Sequence, residues 1–278
     1  MFTRLIGALV RAGFVALLIA TPSLMLPGIT GDGTEIVALI ALFGFGLTIF
    51  EYTAAYPSLI EFRDAPPFNR IRYLSLFTTV FLLTVLCVNG IAPSGLTLVV
   101  EAFGRGVGEA IDFPFSPLRL MLDNLPEGPN SAVADLVRAA AGLAYAVALL
   151  TLMIFALALR VVGWPNHMQA FNVWINLPTF DPTAGGDVVA RLNRDATVNI
   201  ILGFLLPFLV PGIAICAALL FSPWEFSNYH TLIWSVSAWA FLPCSLFMRG
   251  IAMRRIASMI AAKRRQSLPA ADIGFAAT

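Results

Sequence analysis

The sequence predicts an all-α, polytopic membrane protein with about six transmembrane helices and further amphipathic helices at the membrane surface. Hydrophobic residues make up 59% of the chain and charged residues only 12%, whereas about a quarter of the residues of soluble proteins are charged. The mean hydropathy is +0.84. The stretch 197–221 has no charged residue and is long enough to cross a hydrocarbon layer of ~30 Å. We therefore interpret residues 1–278 as a single membrane domain.

Prolines and glycines delimit the first three spans. The first resembles a signal peptide in composition, but a small-x-small cleavage site is missing and further spans follow it, which favours a transmembrane helix. It ends at Pro27, the second span ends at Pro57, and the third is closed by Pro93, because these residues and their neighbours favour turns. The predicted bounds are 5–27, 36–56 and 73–91.

Residues 95–124 form a predicted interfacial segment. Charged residues recur on one helical face and apolar residues cover the opposite face, which is typical of a helix that lies on the membrane surface or caps a bundle. Glycines at positions 104, 106 and 108 weaken this helical prediction. A short second helix is predicted with Ser116 as its N-cap and Pro117 at its first position. The charged residues of the first face are Glu101, Arg105, Glu109 and Asp112.

The second half of the chain contains three more spans. The fourth is predicted at 133–160 and the fifth at 197–221, where it continues a helix that begins in the preceding polar connection. The sixth is predicted at 230–248, with its helix running on into a basic tail, 249–278. Aromatic residues mark residues 164–180 as another interfacial segment. They are Trp164, Phe171, Trp174 and Phe180.

The distribution of arginine predicts the orientation. Connections alternate between basic and acidic along the chain, and the basic ones share a side with both termini, so the positive-inside rule places both termini in the cytoplasm. A single lysine among 17 basic residues indicates a GC-rich bacterial genome. The expected location is therefore a bacterial inner membrane, and the expected partners are the lipid bilayer and other membrane protein subunits or a second copy of the chain.

Arg11 and Glu51 are the charges that come closest to being intramembrane. Both are predicted one to two turns inside the cytoplasmic boundary, on neighbouring antiparallel helices. An ion pair between them would offset part of the ~3 kcal/mol cost of a central charge and would form a candidate ion or proton site. Alternatively, Arg11 extends to the headgroups and Glu51 marks the helix end.

Pro207 and Pro211 lie one helical turn apart in the fifth span and are predicted to kink or unwind it. Transporters use such interrupted helices at their binding sites. Proline is also common in membrane helices, where it shapes packing alone, and this second interpretation is favoured because spans one to three have no matching proline.

A small-residue face in the fourth span predicts close helix packing, either within the bundle or against another subunit. It is formed by Ala140, Ala144 and Ala148. The basic tail is a candidate contact for anionic lipid, worth about 1 kcal/mol per cation, or else an orientation signal only. Its candidate residues are Arg254, Arg255, Lys263, Arg264 and Arg265.

No motif in the sequence predicts catalysis or cofactor binding. The zinc motif HExxH, the phosphate-binding motif GxxxxGK[ST], the hydrolase motif GxSxG and the CxxC motif are all absent. Cys87, Cys216 and Cys244 lie in apolar spans and are interpreted as small hydrophobic residues. We predict no catalytic residue, cofactor, metal site or nucleic acid partner.

Uniformly apolar spans predict a non-catalytic accessory, assembly or scaffolding component of a membrane protein complex, because few intramembrane polar groups are present to bind a hydrophilic substrate. The alternative is a small-molecule or ion transporter or channel that uses Arg11, Glu51, Asn199 and the Pro207–Pro211 break. An intramembrane enzyme is a third hypothesis, for which no nucleophile with a base is visible.

Overall fold

The computed structural model describes residues 2–27, 31–126, 128–161, 163–164, 172–181, 183, 185–218 and 228–267. Within these residues all regular structure is helical, and six helices are long and apolar enough to cross a membrane. The predicted fold class is thereby confirmed. In chain order the helices are α1 (Phe2–Met25), α2 (Gly31–Thr53), α3 (Phe68–Asn89), α4 (Gly95–Ile111), α5 (Pro117–Leu122), α6 (Ala132–Val161), α7 (Val173–Asn176), α8 (Val188–Ala218) and α9 (Tyr229–Ser267).

The six long helices coincide with the six predicted spans, and the differences lie at their polar ends. Helix α8 begins at Val188, within the polar connection, and α9 runs without a break to Ser267. Residues 249–267 are therefore part of a helix whose Ala252, Met253 and Ile256 are buried, and not a free tail. The predicted ends of the fifth span, after Ala218, and of the tail, after Ser267, lie outside the described residues.

The two ends of the bundle differ in charge. Helices α1, α3 and α8 begin, and α2, α6 and α9 end, at what we call the basic end, which includes the connection 54–67 and the start of α8. The opposite, acidic end carries α4, α5 and the start of α6. Core side chains of α3, α6 and α9 pack together along the middle of the bundle. Helix α2 packs mainly against α1 and has few buried residues.

Helix α4 packs along α6 through its glycines. A Cβ atom placed on Gly142 of α6 would lie 2.2 Å from the carbonyl oxygen of Gly104, and one on Gly108 would lie 2.3 Å from the carbonyl oxygen of Arg138. These distances are far below van der Waals contact, so both positions require glycine. The glycines that weakened the helical prediction are the residues that allow α4 to approach α6. The predicted apolar face is divided, with Leu96, Val99 and Phe103 exposed and Val100 buried.

The short helix after α4 begins as predicted. Ser116 is the N-cap of α5, its hydroxyl accepts a hydrogen bond from the backbone N–H of Arg119 (3.0 Å), and Pro117 occupies the first helical position. A polar oxygen before proline satisfies an N–H group that has no partner inside the helix. Local sequence therefore determined this helix start.

Candidate functional site

The candidate ion pair between Arg11 and Glu51 is not formed among the contacts of the described residues, in line with the alternative in which Glu51 lies at the helix end. Nη1 of Arg11 donates to the carbonyl oxygen of Gly7 (2.7 Å), and its guanidinium lies over the ring of Tyr52, 4.7 Å from the centroid. The Glu51 carboxylate is buried and accepts hydrogen bonds from the connection that follows α2. Its donors are the Ser58 hydroxyl (2.6 Å) and the backbone N–H groups of Ser58 (3.0 Å), Leu59 (2.9 Å) and Ile60 (3.2 Å). Glu51 therefore stabilises the turn that follows α2, because its carboxylate accepts hydrogen bonds from three backbone N–H groups and one hydroxyl group.

Glu61, Thr179, Asn199 and Arg249 form a polar junction at the basic end. The Arg249 guanidinium donates Nε–H to Glu61 Oε2 (2.6 Å) and Nη2–H to Glu61 Oε1 (2.8 Å) in a two-bond ion pair. Its Nη1–H group reaches Asn199 Oδ1 (2.9 Å), and the Thr179 hydroxyl donates to Glu61 Oε1 (2.9 Å). Charge-assisted, bidentate hydrogen bonds of this kind are among the strongest hydrogen bonds in proteins. The junction joins α8 and α9 to the connections that precede α3 and α8.

The two connections at the basic end also bind each other directly. The backbone N–H of Phe62 donates to the carbonyl oxygen of Asn176 (2.7 Å), and that of Asp64 donates to the Asn176 side chain (3.1 Å). Two of the aromatic residues predicted at a membrane boundary, Trp164 and Phe180, are buried in the protein core at the basic end. Phe171 and the side chain of Trp174 lie outside the described residues. Trp164 and Phe180 therefore pack within a buried apolar cluster of the protein.

Pro207 and Pro211 lie within α8, which remains helical through both. In an uninterrupted helix the carbonyl oxygen of residue 207 accepts from the N–H of residue 211, which proline lacks. The indole N–H of Trp239 in α9 supplies the missing donor, 3.0 Å from that oxygen. The proline pair therefore creates an acceptor that a neighbouring helix satisfies.

A cavity of about 450 Å³ lies against the same turn. Nearly all of its surface is apolar, and it is bounded by α6, α8 and α9 with α5 at the acidic side. Its size is within the range of about 300–1,000 Å³ of ligand pockets. The residues that shape it include Leu149, Phe204, Pro207, Phe208, Trp239 and Phe247.

The small-residue face of α6 lies inside the bundle. Ala140 and Ala144 are fully buried, and Ala148 borders the cavity, where its carbonyl oxygen contacts the Cys244 thiol. Neighbouring backbone of α6 is in contact with α4, since a Cβ on Gly104 would lie 2.6 Å from the carbonyl oxygen of Ala139. This face is therefore used within the chain.

Most candidate lipid-contacting cations of α9 bind other protein groups. Arg254 donates to the Thr197 hydroxyl (3.2 Å), Arg255 to the Trp164 carbonyl (3.1 Å) and Arg265 to the Ala261 carbonyl (3.4 Å). Arg264 forms an ion pair with Asp187, and this hydrogen bond holds the pKa of Asp187 below its usual value. Lys263 is exposed. Arg254 and Arg264 thus join the end of α9 to the start of α8.

Sequence reasoning missed Glu61, Thr179 and Arg249 as one cluster. Glu61 and Arg249 are 188 positions apart. Each lies next to a predicted span, where charged residues are common, so neither position indicated a contact. The available signal was Arg249 itself, which interrupts a helix that stays partly apolar beyond it. Within the described part of the chain, no group of three or more His, Cys, Asp or Glu residues converges to hold a metal ion.

Comparison of the chain with protein-family models, with curated proteins and with solved structures finds no match.

Proposed function

We propose that this chain is a non-catalytic component of a membrane protein complex and that α2 is the helix that binds a transmembrane helix of its partner. The observation that carries the proposal is the position of α2 outside the bundle, with α1 as its main neighbour. Only 6% of its most apolar stretch is buried, compared with 44% for α3 and 56% for α9.

The residues of α2 favour a protein neighbour over lipid at one point. Gly44 is in close contact with α1, since a Cβ there would lie 2.9 Å from Ile19, but no atom lies within 4 Å of a Cβ placed on Gly46. Glycine costs a helix about 1 kcal/mol relative to alanine, and in membranes small residues allow another backbone to approach closely. Gly46 is therefore the expected contact point.

The charged groups of the spans support a structural role. Glu51, Glu61 and Arg249 each bind protein groups at the basic end. Threonine hydroxyls in α1, α2, α3 and α6 donate to carbonyl oxygens of their own helices. These groups stabilise the bundle and leave little polar surface for a hydrophilic substrate.

Extraction of the tagged protein in mild detergent, at native expression, tests this proposal. We expect native-size analysis and mass spectrometry to reveal a stoichiometric membrane partner that Gly46→Trp releases. Gly106→Trp is the matched control, because a Cβ on Gly106 of α4 also meets no atom within 4 Å. A lone monomer, a homo-oligomer, or a complex that Gly46→Trp leaves intact would contradict the proposal.

A second candidate function is transport of a small apolar molecule, which the cavity beside Pro207 supports. Ala148 borders this cavity, so Ala148→Phe is expected to fill it. Transport of a panel of small apolar compounds is measured for the wild type and for this variant. If the chain is a transporter, the variant should abolish transport of the compound that the wild type carries, while the protein remains monodisperse. Unchanged flux would remove the cavity from the transport hypothesis.

A further inference from the structure

The cavity beside Pro207 is a slot that runs parallel to the helices. Along α9 its wall extends from Trp239 to Ile251, which is about 18 Å at the rise of an α-helix. Along α6 its wall extends over two turns, from Tyr145 to Leu152. Both stretches lie within helices that are long and apolar enough to cross a membrane. The slot therefore has the direction of the acyl chains of a bilayer.

The slot opens between α6 and α8. Both helices pack against α9, but within the described residues they do not pack closely against each other. Side chains on the two sides of this gap line the slot and also reach the surface, since Leu149 is 51% exposed and Phe204 is 64% exposed. Helix α5 contacts both α6 and α8 and closes the acidic side of the slot with Pro117 and Leu118. In a membrane the opening between two spans faces lipid.

The lining of the slot selects an apolar occupant. Nearly all of its surface is apolar. The indole N–H of Trp239 already donates to the Pro207 carbonyl oxygen (3.0 Å). The Cys244 thiol likewise donates to the Ala148 carbonyl oxygen (3.6 Å). Water fills a cavity only where several polar partners are free, whereas apolar cavities stay dry and bind apolar molecules.

We propose that the slot binds an acyl chain of a membrane phospholipid. A flexible methylene chain matches an apolar slot that is elongated along the helices and opens to the bilayer, where phospholipid chains are the most abundant apolar groups. Lipid tails and helices are similarly apolar, so the gain comes from the dispersion contacts that the lining makes with the bound chain. The assignment does not depend on the partner proposed for α2, and it differs from the transport hypothesis because the occupant stays bound.

Quenching of Trp239 fluorescence by brominated acyl chains tests the site. Trp239 lines the slot and is only 4% exposed, so a chain of the bilayer reaches its ring only by entering the slot. The protein is reconstituted in phosphatidylcholine with brominated or unbrominated chains, and the emission that Trp239→Phe removes is measured in each. We expect this emission to be strongly quenched in the brominated bilayer. Equal Trp239 emission in the two bilayers would overturn the proposal.

Two variants of α6 locate the quenching chain. Ala148→Phe should abolish the quenching of Trp239, because Ala148 borders the slot and the larger side chain is expected to fill it. Ala156→Phe is the matched control, since Ala156 is an exposed residue of the same helix outside the lining, and it should leave the quenching unchanged. Quenching that persists in folded Ala148→Phe, or that both variants lose, would overturn the site. The comparison of the wild type with Trp239→Phe decides the outcome even if Ala148→Phe fails to fold.

Native mass spectrometry of the protein extracted in mild detergent identifies the occupant. We expect the wild type and Ala156→Phe to retain a phospholipid that Ala148→Phe loses. A free fatty acid or an isoprenoid retained in its place would overturn the phospholipid assignment in favour of another apolar ligand. This result is read from the slot alone, so it stands whether or not Gly46→Trp releases a partner of α2.

Discussion

At the scale of single residues, charges at the basic end are distributed by their local donors. Glu51 binds three backbone N–H groups that follow it closely in sequence, whereas Glu61 binds a guanidinium from the far end of the chain. A carboxylate accepts about four hydrogen bonds, so each of these groups is largely satisfied by its own set. Arg11 instead binds the Gly7 carbonyl oxygen and lies over the Tyr52 ring, and Arg72 lies beside aromatic rings.

Arg249→Met should destabilise the protein by about 2–3 kcal/mol, because it leaves the nearly buried Glu61 carboxylate without its strongest donor. The measurement is the free energy of unfolding in detergent. Arg254→Met, five positions on in the same helix, removes an exposed arginine whose contact is one long hydrogen bond to a hydroxyl and should change stability little.

The Glu61→Gln and Arg249→Met double variant completes a thermodynamic cycle. Because the two side chains interact directly, the effect of both changes together should be smaller than the sum of the single effects. Additive effects would contradict a direct contribution of this ion pair to stability.

At the scale of helices, α8 and α9 are joined where proline removes a donor. The carbonyl oxygen of Pro207 has lost its intrahelical partner, and Trp239 binds it from the neighbouring helix. An unsatisfied carbonyl in an apolar environment is costly. The free carbonyl oxygen at Pro207 thus favours α9 as the helix that packs beside α8.

Trp239→Phe is expected to lower stability by about 1–2 kcal/mol, since it keeps the aromatic packing but removes the donor to Pro207. Thermal unfolding in detergent measures the effect. Trp234→Phe provides a comparison, because Trp234 lies in the same helix, is partly buried, and its indole N–H makes no hydrogen bond to the described residues. Equal effects of the two substitutions would argue against the hydrogen bond.

The contact between α4 and α6 depends on the absence of side chains. Gly142→Ala should destabilise the protein by about 1–3 kcal/mol, because the new methyl group would overlap the α4 backbone. Gly106→Ala, on the open side of α4, should instead stabilise it by about 0.5–1 kcal/mol through helix propensity. Opposite signs in the two unfolding free energies are the expected result, and a neutral Gly142→Ala would contradict the close crossing.

At the scale of the whole molecule, charge asymmetry predicts orientation. With Cys87, Cys216 and Cys244 replaced by alanine, Lys263→Cys at the basic end should react with an impermeant maleimide only after cells are permeabilised. Asp123→Cys, exposed at the acidic end, should react in intact cells. The opposite pattern would reverse the orientation that the positive-inside rule predicts.

The sequence by itself determined that the chain contains six apolar helices, where each lies and how α5 begins. Hydropathy and length suffice for this, because a helix that crosses lipid must satisfy its backbone internally and present apolar side chains over about 20 residues. The continuation of α9 beyond its span was also visible in its sequence. These are local properties, and neighbouring helices do not change them.

Only the tertiary structure decided which residues meet. The sequence left open whether Arg11 pairs with Glu51. In the structure Glu51 binds the connection that follows α2, and Glu61 binds Arg249. The glycines of α4 are unfavourable for a helix by propensity, but they allow the backbone of α6 to pack closely against α4. The physical reason is that lipid tails and neighbouring helices are similarly apolar, so a uniformly apolar span does not reveal which face it turns inward.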